Sequence, residues 1–187
     1  MKASSKTRKL TIMAMLVALS VILLYLVHFP IFPAAAFLEY DPADIPIFIG
    51  TFLFGPSAGL MITAAASIIQ GFTVSASSGI IGIIMHILST GSFVIVAGNI
   101  YRKKHTFKGA LLALICGTIT MTTVMCIWNV IFTPIFMGAP RAVVIDMLVP
   151  VIMPFNFIKA GGNSLITVLV YKRMSVWIHR YIDESQG

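Results

Sequence analysis

The chain has 187 residues, 58% of them hydrophobic and 10% charged, with a formal net charge of +7. Soluble domains carry about a quarter charged residues, so a water-soluble globule is excluded, and with it a nucleic-acid-binding role for the basic excess. The length leaves no room for a soluble enzyme domain beside a membrane bundle, which makes this an integral membrane protein embedded in a lipid bilayer.

The first uncharged run, Leu10 to Val27, makes about 27 Å of helix, enough to cross a bilayer. Lys2, Lys6, Arg8 and Lys9 before it and Ala34-Ala35-Ala36 after it also suit a secretory signal. The run exceeds the usual ~7–15-residue signal core, and more membrane sequence follows, so a retained span over 10–28 is expected. Ala14 and Ala18 on it form a small-xxx-small pair, which suits either internal packing or an external partner. The apolar segment His28 to Glu39 then needs cover for Phe29, Phe32, Phe37 and Leu38, either as a lid over the bundle or in the membrane interface. Asp41-Pro42-Ala43-Asp44 reads as a helix start, with Asp41 as N-cap, Pro42 at N1 and Asp44 at N3.

From Ile45 to Tyr101 there is no Asp, Glu, Lys or Arg. Gly55-Pro56 and the stretch Gly71 to Gly79 interrupt this run, which predicts helices over 45–54, 57–70 and 80–101. The first two are short for spans of ~20 residues and need cover from protein or from a water-filled cavity. His86 has no acid or nucleophile nearby in the sequence and reads as a packed histidine. A fifth helix is predicted over 109–133 and a sixth over 151–176. The Thr133–Pro150 connection between them, rich in Pro and Gly, carries a solvated Arg141. Cys116 and Cys126 lie about 15 Å apart along the fifth helix, too far for a disulfide.

Basic residues cluster before the first helix, at Arg102, Lys103, Lys104 and Lys108, and at Lys172, Arg173 and Arg180. The positive-inside rule places all three clusters in the cytoplasm, so the acidic segment Glu39 to Asp44 lies outside. Returning to a cytoplasmic Arg102 takes an odd number of crossings, which requires the Gly55-Pro56 turn to reverse the chain. The expectation is an all-α membrane protein with six transmembrane helices and both termini cytoplasmic. A re-entrant hairpin over the short pair satisfies the same parity.

Lys159 falls about nine residues into the last helix, roughly 13 Å deep, where an unpaired charge costs at least ~2.5 kcal/mol. Asn156, Lys159 and Asn163 share one helical face, favouring a water-accessible cavity over a lysine that snorkels outward. Asn129, near the outer end of the fifth helix, is placed to converge with Asn156 and Lys159. Amide and ammonium groups together suit the amide-like edge of a neutral heterocycle. They do not suit a metal, since no carboxylate, histidine or thiolate cluster accompanies them. The sequence contains no phosphate loop, Walker motif or nucleophile elbow.

These features resemble the substrate-binding (S) components of energy-coupling factor (ECF) vitamin transporters, and among them the riboflavin-specific kind. The resemblance spans essentially the whole chain. It is carried by Ala14-Met-Leu-Val-Ala18, by Phe37-Leu-Glu-Tyr-Asp-Pro-Ala-Asp-Ile-Pro46, by Phe54-Gly-Pro-Ser-Ala-Gly59 and by Pro154-Phe-Asn-Phe-Ile-Lys-Ala-Gly-Gly-Asn163. It implies a non-enzymatic chain in the plasma membrane of a prokaryote, capturing riboflavin from outside as the transported ligand, with no cofactor. It implies that Ala14 and Ala18 contact a transmembrane energy-coupling subunit, with two ATP-binding subunits completing the transporter and hydrolysing the ATP. It further implies that Phe37, Leu38 and Tyr40 close over the vitamin, and that Asn129, Asn156 and Lys159 bind the polar edge of the isoalloxazine ring. Gln70 and Thr73 are candidates for the ribityl chain. Another vitamin remains open, as do a small intramembrane enzyme using His86 with a serine and a pore-forming bundle.

Overall fold

In the computed structural model the described residues are 5–186, with side chains described for 5–33 and 35–173. The basic cluster therefore loses Lys2 and the side chain of Arg180, which lie outside them. The fold is helical: α1 (Ser5–Leu26), α2 (Asp44–Phe54), α3 (Pro56–Phe72), α4 (Gly79–Lys103), α5 (Phe107–Met137), α6 (Arg141–Met147) and α7 (Met153–Gln186). Four stretches are long and apolar enough to cross a membrane: Ser5–Leu26, Ala76–Lys103, Phe107–Met137 and Arg141–Arg173.

The two short helices solve their exposure problem with protein. Every α2 residue from Asp44 to Phe52 is buried, wrapped by α1, α3, α4 and α7. Protein therefore covers all but the last two residues of a helix only about 16 Å long. Gly55 makes the reversal into α3. Its φ of 87° with ψ of 173° is a region that side-chain-bearing residues avoid, and Pro56 follows at the first helical position. Beneath α2, the Phe48 and Phe93 rings stack at 3.7 Å. Gly117 lets α5 approach that pair, since a Cβ there would sit 2.8 Å from the Phe93 ring.

The chain alternates between two ends. At one end Lys9 lies over the Phe54 ring at 5.6 Å and Tyr101 meets Tyr171 through their hydroxyls at 2.8 Å. Arg102, Lys103, Lys104 and Lys108 sit beside that tyrosine pair in sequence, as do Lys172 and Arg173, so this is the basic end. At the other end the segment from Phe29 to Tyr40 forms a lid. Phe29 pairs with Tyr40 and Pro30 with Glu39 in a short antiparallel ladder, β1 (Phe29–Pro30) with β2 (Glu39–Tyr40). A 3-10 turn over Pro33–Ala35 closes the loop between them. Ala35 and Leu38 of the lid pack on Val144, Ile152 and Phe155, with Phe32 and Phe37 partly buried against the same cluster, whereas Phe29 stays exposed.

Three local expectations need correction. The Thr133–Pro150 connection is mostly helical: α5 continues past Pro134 to Met137, and Gly138 ends it at φ 61°. An α6 turn and a π-helical segment, Leu148–Ile152, then lead into α7. Burial of Val144 and Ile152 beneath the lid outweighs the Pro and Gly content. Arg141 opens α6, with its side chain exposed as expected. At the other connection, α2 begins at Asp44 with Ala43 in the N-cap position. Asp41 instead accepts the Ala43 amide at 3.0 Å through one oxygen and turns the other to Lys159. Asp44 is fully buried, which no solvated helix cap requires.

Candidate functional site

A cavity opens beneath the lid, between α1, α3, α4, α5 and α7. Of the sequence-predicted residues, Phe37, Leu38, Gln70, Asn129, Asn156 and Lys159 line it. The three polar groups expected to converge do so from two helices. Asn129 is held within its own helix, donating to the Met125 carbonyl at 2.8 Å and accepting from Thr133 at 2.7 Å. Asn156 likewise donates to the Ile152 carbonyl at 2.8 Å. Each amide is thereby oriented while keeping bonding capacity toward the cavity.

Lys159 neither snorkels nor stands alone. Its ammonium lies 2.6 Å from Asp41 Oδ2 and donates to the Glu39 carbonyl at 3.4 Å. Three donors sit on that nitrogen, so one remains beyond these two contacts. The counter-ion comes from the segment just after the lid, so the ion pair also fastens the lid to α7.

Tyr40 and Thr73 are not on the cavity wall. Thr73 is exposed and turns its hydroxyl back to the Ile69 carbonyl at 2.7 Å, a common habit of threonine in helices and near their ends. Tyr40 instead donates to Asn163 Oδ1 at 3.0 Å. Burial, and next the Asp41 carboxylate, raise the pKa of this hydroxyl, so it stays a donor at neutral pH. Asn163 also donates to the Asp41 carbonyl at 3.0 Å, adding a second tie between α7 and the chain leaving the lid.

Gln70 carries an unsatisfied group on the wall. Its side-chain carbonyl oxygen is buried with no partner among the described residues. The Ser75 amide donates to the Gln70 main-chain carbonyl at 2.8 Å, and Ser75, Ser78 and Ser89 add hydroxyls to the same wall. The lining also includes apolar Ile81, Met85, Met121 and Met125. The cavity thus offers amides, an ammonium, hydroxyls and soft apolar surface on one wall.

His86 was expected to pack without an acid or a nucleophile beside it. The structure overturns this. Its Nε2 lies 3.3 Å from Asp44 Oδ1 and its Nδ1 2.6 Å from Ser67 Oγ. Sequence reading missed the arrangement because the three residues stand on three different helices. The grouping has the membership of an acid–base–nucleophile triad but not its geometry. Ser67 has no exposed surface, and its hydroxyl donates to the Thr63 carbonyl at 2.6 Å. Thr90 donates to the same Asp44 oxygen at 2.7 Å, so the arrangement serves to satisfy a buried carboxylate.

Ala14 and Ala18 are both exposed on the outer face of α1, so they are not spent on packing within the chain.

A family model for the substrate-specific component of ECF transporters matches residues 8–171. The chain is 26% identical to riboflavin transporter FmnP of Bacillus subtilis over 183 residues, covering 94% of this chain and 96% of that protein. It is 30% identical to riboflavin transporter RibU of Streptococcus thermophilus over 175 residues, covering 89% and 82%. Among solved structures, the S component of a bacterial ECF transporter superposes with a TM-score of 0.80 at 28% identity, covering 93% of this chain and 99% of that one.

Proposed function

We propose that this chain, which belongs to the family of ECF-transporter substrate-specific components, captures riboflavin in the cavity beneath its lid. The mix of groups on the cavity wall carries the reading. Riboflavin joins a planar heterocycle with an imide edge to a flexible polyol. Asn129, Asn156 and the third Lys159 donor suit the imide edge, the apolar stretch around Met121 and Met125 suits the ring faces, and Gln70 with Ser75, Ser78 and Ser89 suits the ribityl hydroxyls. Phe37 and Leu38 of the lid then cover the ligand. The riboflavin transporters that the chain resembles support the same assignment.

The basic end faces the cytoplasm by the positive-inside rule, which turns the lid outward and makes six crossings with both termini inside. The membrane is then the plasma membrane of a prokaryote. The chain itself binds and releases. Its partners are a transmembrane energy-coupling subunit, docked on the Ala14–Ala18 face, and two ATP-binding subunits that hydrolyse the nucleotide.

The test is a titration of the detergent-purified chain with riboflavin, read by flavin fluorescence. Stoichiometric quenching is expected. Asn156→Ala should weaken binding by the loss of one buried hydrogen bond, about 1–3 kcal/mol, with thermal unfolding unchanged. A well-folded protein that leaves flavin fluorescence untouched would overturn the riboflavin reading.

A further inference from the structure

His86 lines the cavity, yet both of its ring nitrogens face protein. Ser67 Oγ and the Thr63 carbonyl are 2.6 Å apart, so a proton lies between them and it is the serine's only one. His86 Nδ1 must then donate across its 2.6 Å contact to Ser67. That fixes the ring with Nε2 facing Asp44 Oδ1 at 3.3 Å, beyond a well-formed hydrogen bond. The approach to a carboxylate needs a proton on Nε2 as well, so the two make an imidazolium–carboxylate pair. Asp44 passes the constraint on: its second oxygen accepts from Asn163 Nδ2 at 3.3 Å. Asn163 in turn accepts from the Tyr40 hydroxyl at 3.0 Å, and Tyr40 is the lid residue paired with Phe29. The run Ser67–His86–Asp44–Asn163–Tyr40 therefore links α3, α4, α2, α7 and the lid through contacts among buried or half-buried groups.

We infer that His86 is a positioning residue for the lid: through Asp44 and Asn163, a side chain on the cavity wall sets how firmly Tyr40 is held. The charged groups nearest this run are Asp44 on α2, Asp41 and Glu39 in and beside the lid, and Lys159 on α7. The ammonium of Lys159 is in contact with Asp41 and reaches Asp44 only through its charge, so the direct contacts of Asp44 are His86, Thr90 and Asn163. Loss of the His86 contact frees Asp44 to shift away from Asn163, which then keeps only its bond to the Asp41 carbonyl, and the acceptor of Tyr40 is held less firmly. The same latch would govern how long riboflavin stays bound; that kinetic consequence alone rests on the function proposed above.

A double-mutant cycle of His86→Leu and Tyr40→Phe, read by hydrogen exchange of the backbone amides from Phe29 to Tyr40 without ligand, tests the inference. Each single change should speed exchange there about fivefold, as for one lost hydrogen bond. The double variant should be no faster than the faster single, because the two act through one path. His86→Gln, which keeps a donor toward Asp44, should recover much of the protection. With riboflavin, dissociation should accelerate by a similar factor while the bound-flavin spectrum stays unchanged. Additive effects, or lid exchange that His86→Leu leaves unaltered, would overturn the proposal. If His86→Leu does not fold, Asp44→Asn replaces it in the same cycle with the same two outcomes. A wild-type chain that binds no riboflavin would remove the functional reading but leave the exchange result standing.

Discussion

At Gln70 the buried side-chain oxygen has no partner among the described residues, a situation that costs about 1–3 kcal/mol until a donor arrives. A ligand hydroxyl is such a donor. Gln70→Leu should therefore weaken riboflavin by roughly 1–2 kcal/mol while leaving lumiflavin, which has the same ring system but no polyol, bound as before. Paired titrations check this, and an equal loss for both ligands would move Gln70 to the ring. Asn156, Lys159 and Asn163 were legible as a polar stripe because helical periodicity puts i, i+3 and i+7 on one face whatever the tertiary structure. What periodicity does not contain is the facing helix. The Lys159–Asp41 pair spans 118 positions of sequence, and Asp44 reaches both Thr90 and Asn163 across such distances. For that reason Asp41 and Asp44 read as ordinary caps and His86 as ordinary packing until the helices were placed.

At the scale of elements, the α2–α3 reversal was readable because glycine followed by proline carries its own backbone instruction. Gly55 adopts φ 87° with nothing within 4 Å of where a Cβ would stand. The cost of Gly55→Ala is therefore backbone strain alone, about 1–3 kcal/mol. Gly55 lies at the basic end, away from the cavity, so the variant should lower the thermal unfolding midpoint in detergent and leave riboflavin affinity unchanged. A loss of affinity in the folded variant would mean that the short helices transmit strain to the lid end. The α6 and π-helical stretch was not legible for the opposite reason. Its Pro134, Gly138, Pro140 and Pro150 are local signals for irregular chain. The counter-argument, burial of Val144 and Ile152 against Ala35 and Leu38 of the lid, is tertiary.

For the whole molecule, the question is how a component with no nucleotide site of its own is driven. A membrane-embedded partner meets this chain through its exposed apolar surface, where many side chains are large and keep helices apart. Ala14 and Ala18 are an exception. Both are exposed and one turn apart on α1, so a helix can come close enough there for extensive backbone contact. Met13, Ser20 and Leu24, by contrast, are the α1 residues buried in the bundle, so filling the alanine face should not disturb the fold. Ala14→Trp or Ala18→Trp should leave riboflavin binding of the isolated chain intact and abolish both co-purification with the energy-coupling subunit and uptake in cells. The separation between the two readouts is the informative part. Loss of binding as well would show that α1 packing reaches the cavity, where Leu24 contributes to the wall. Retention of both assembly and uptake would move the docking surface elsewhere. The expected split follows from the layout of α1, which gives one face to the bundle and leaves the small residues of the other to the membrane.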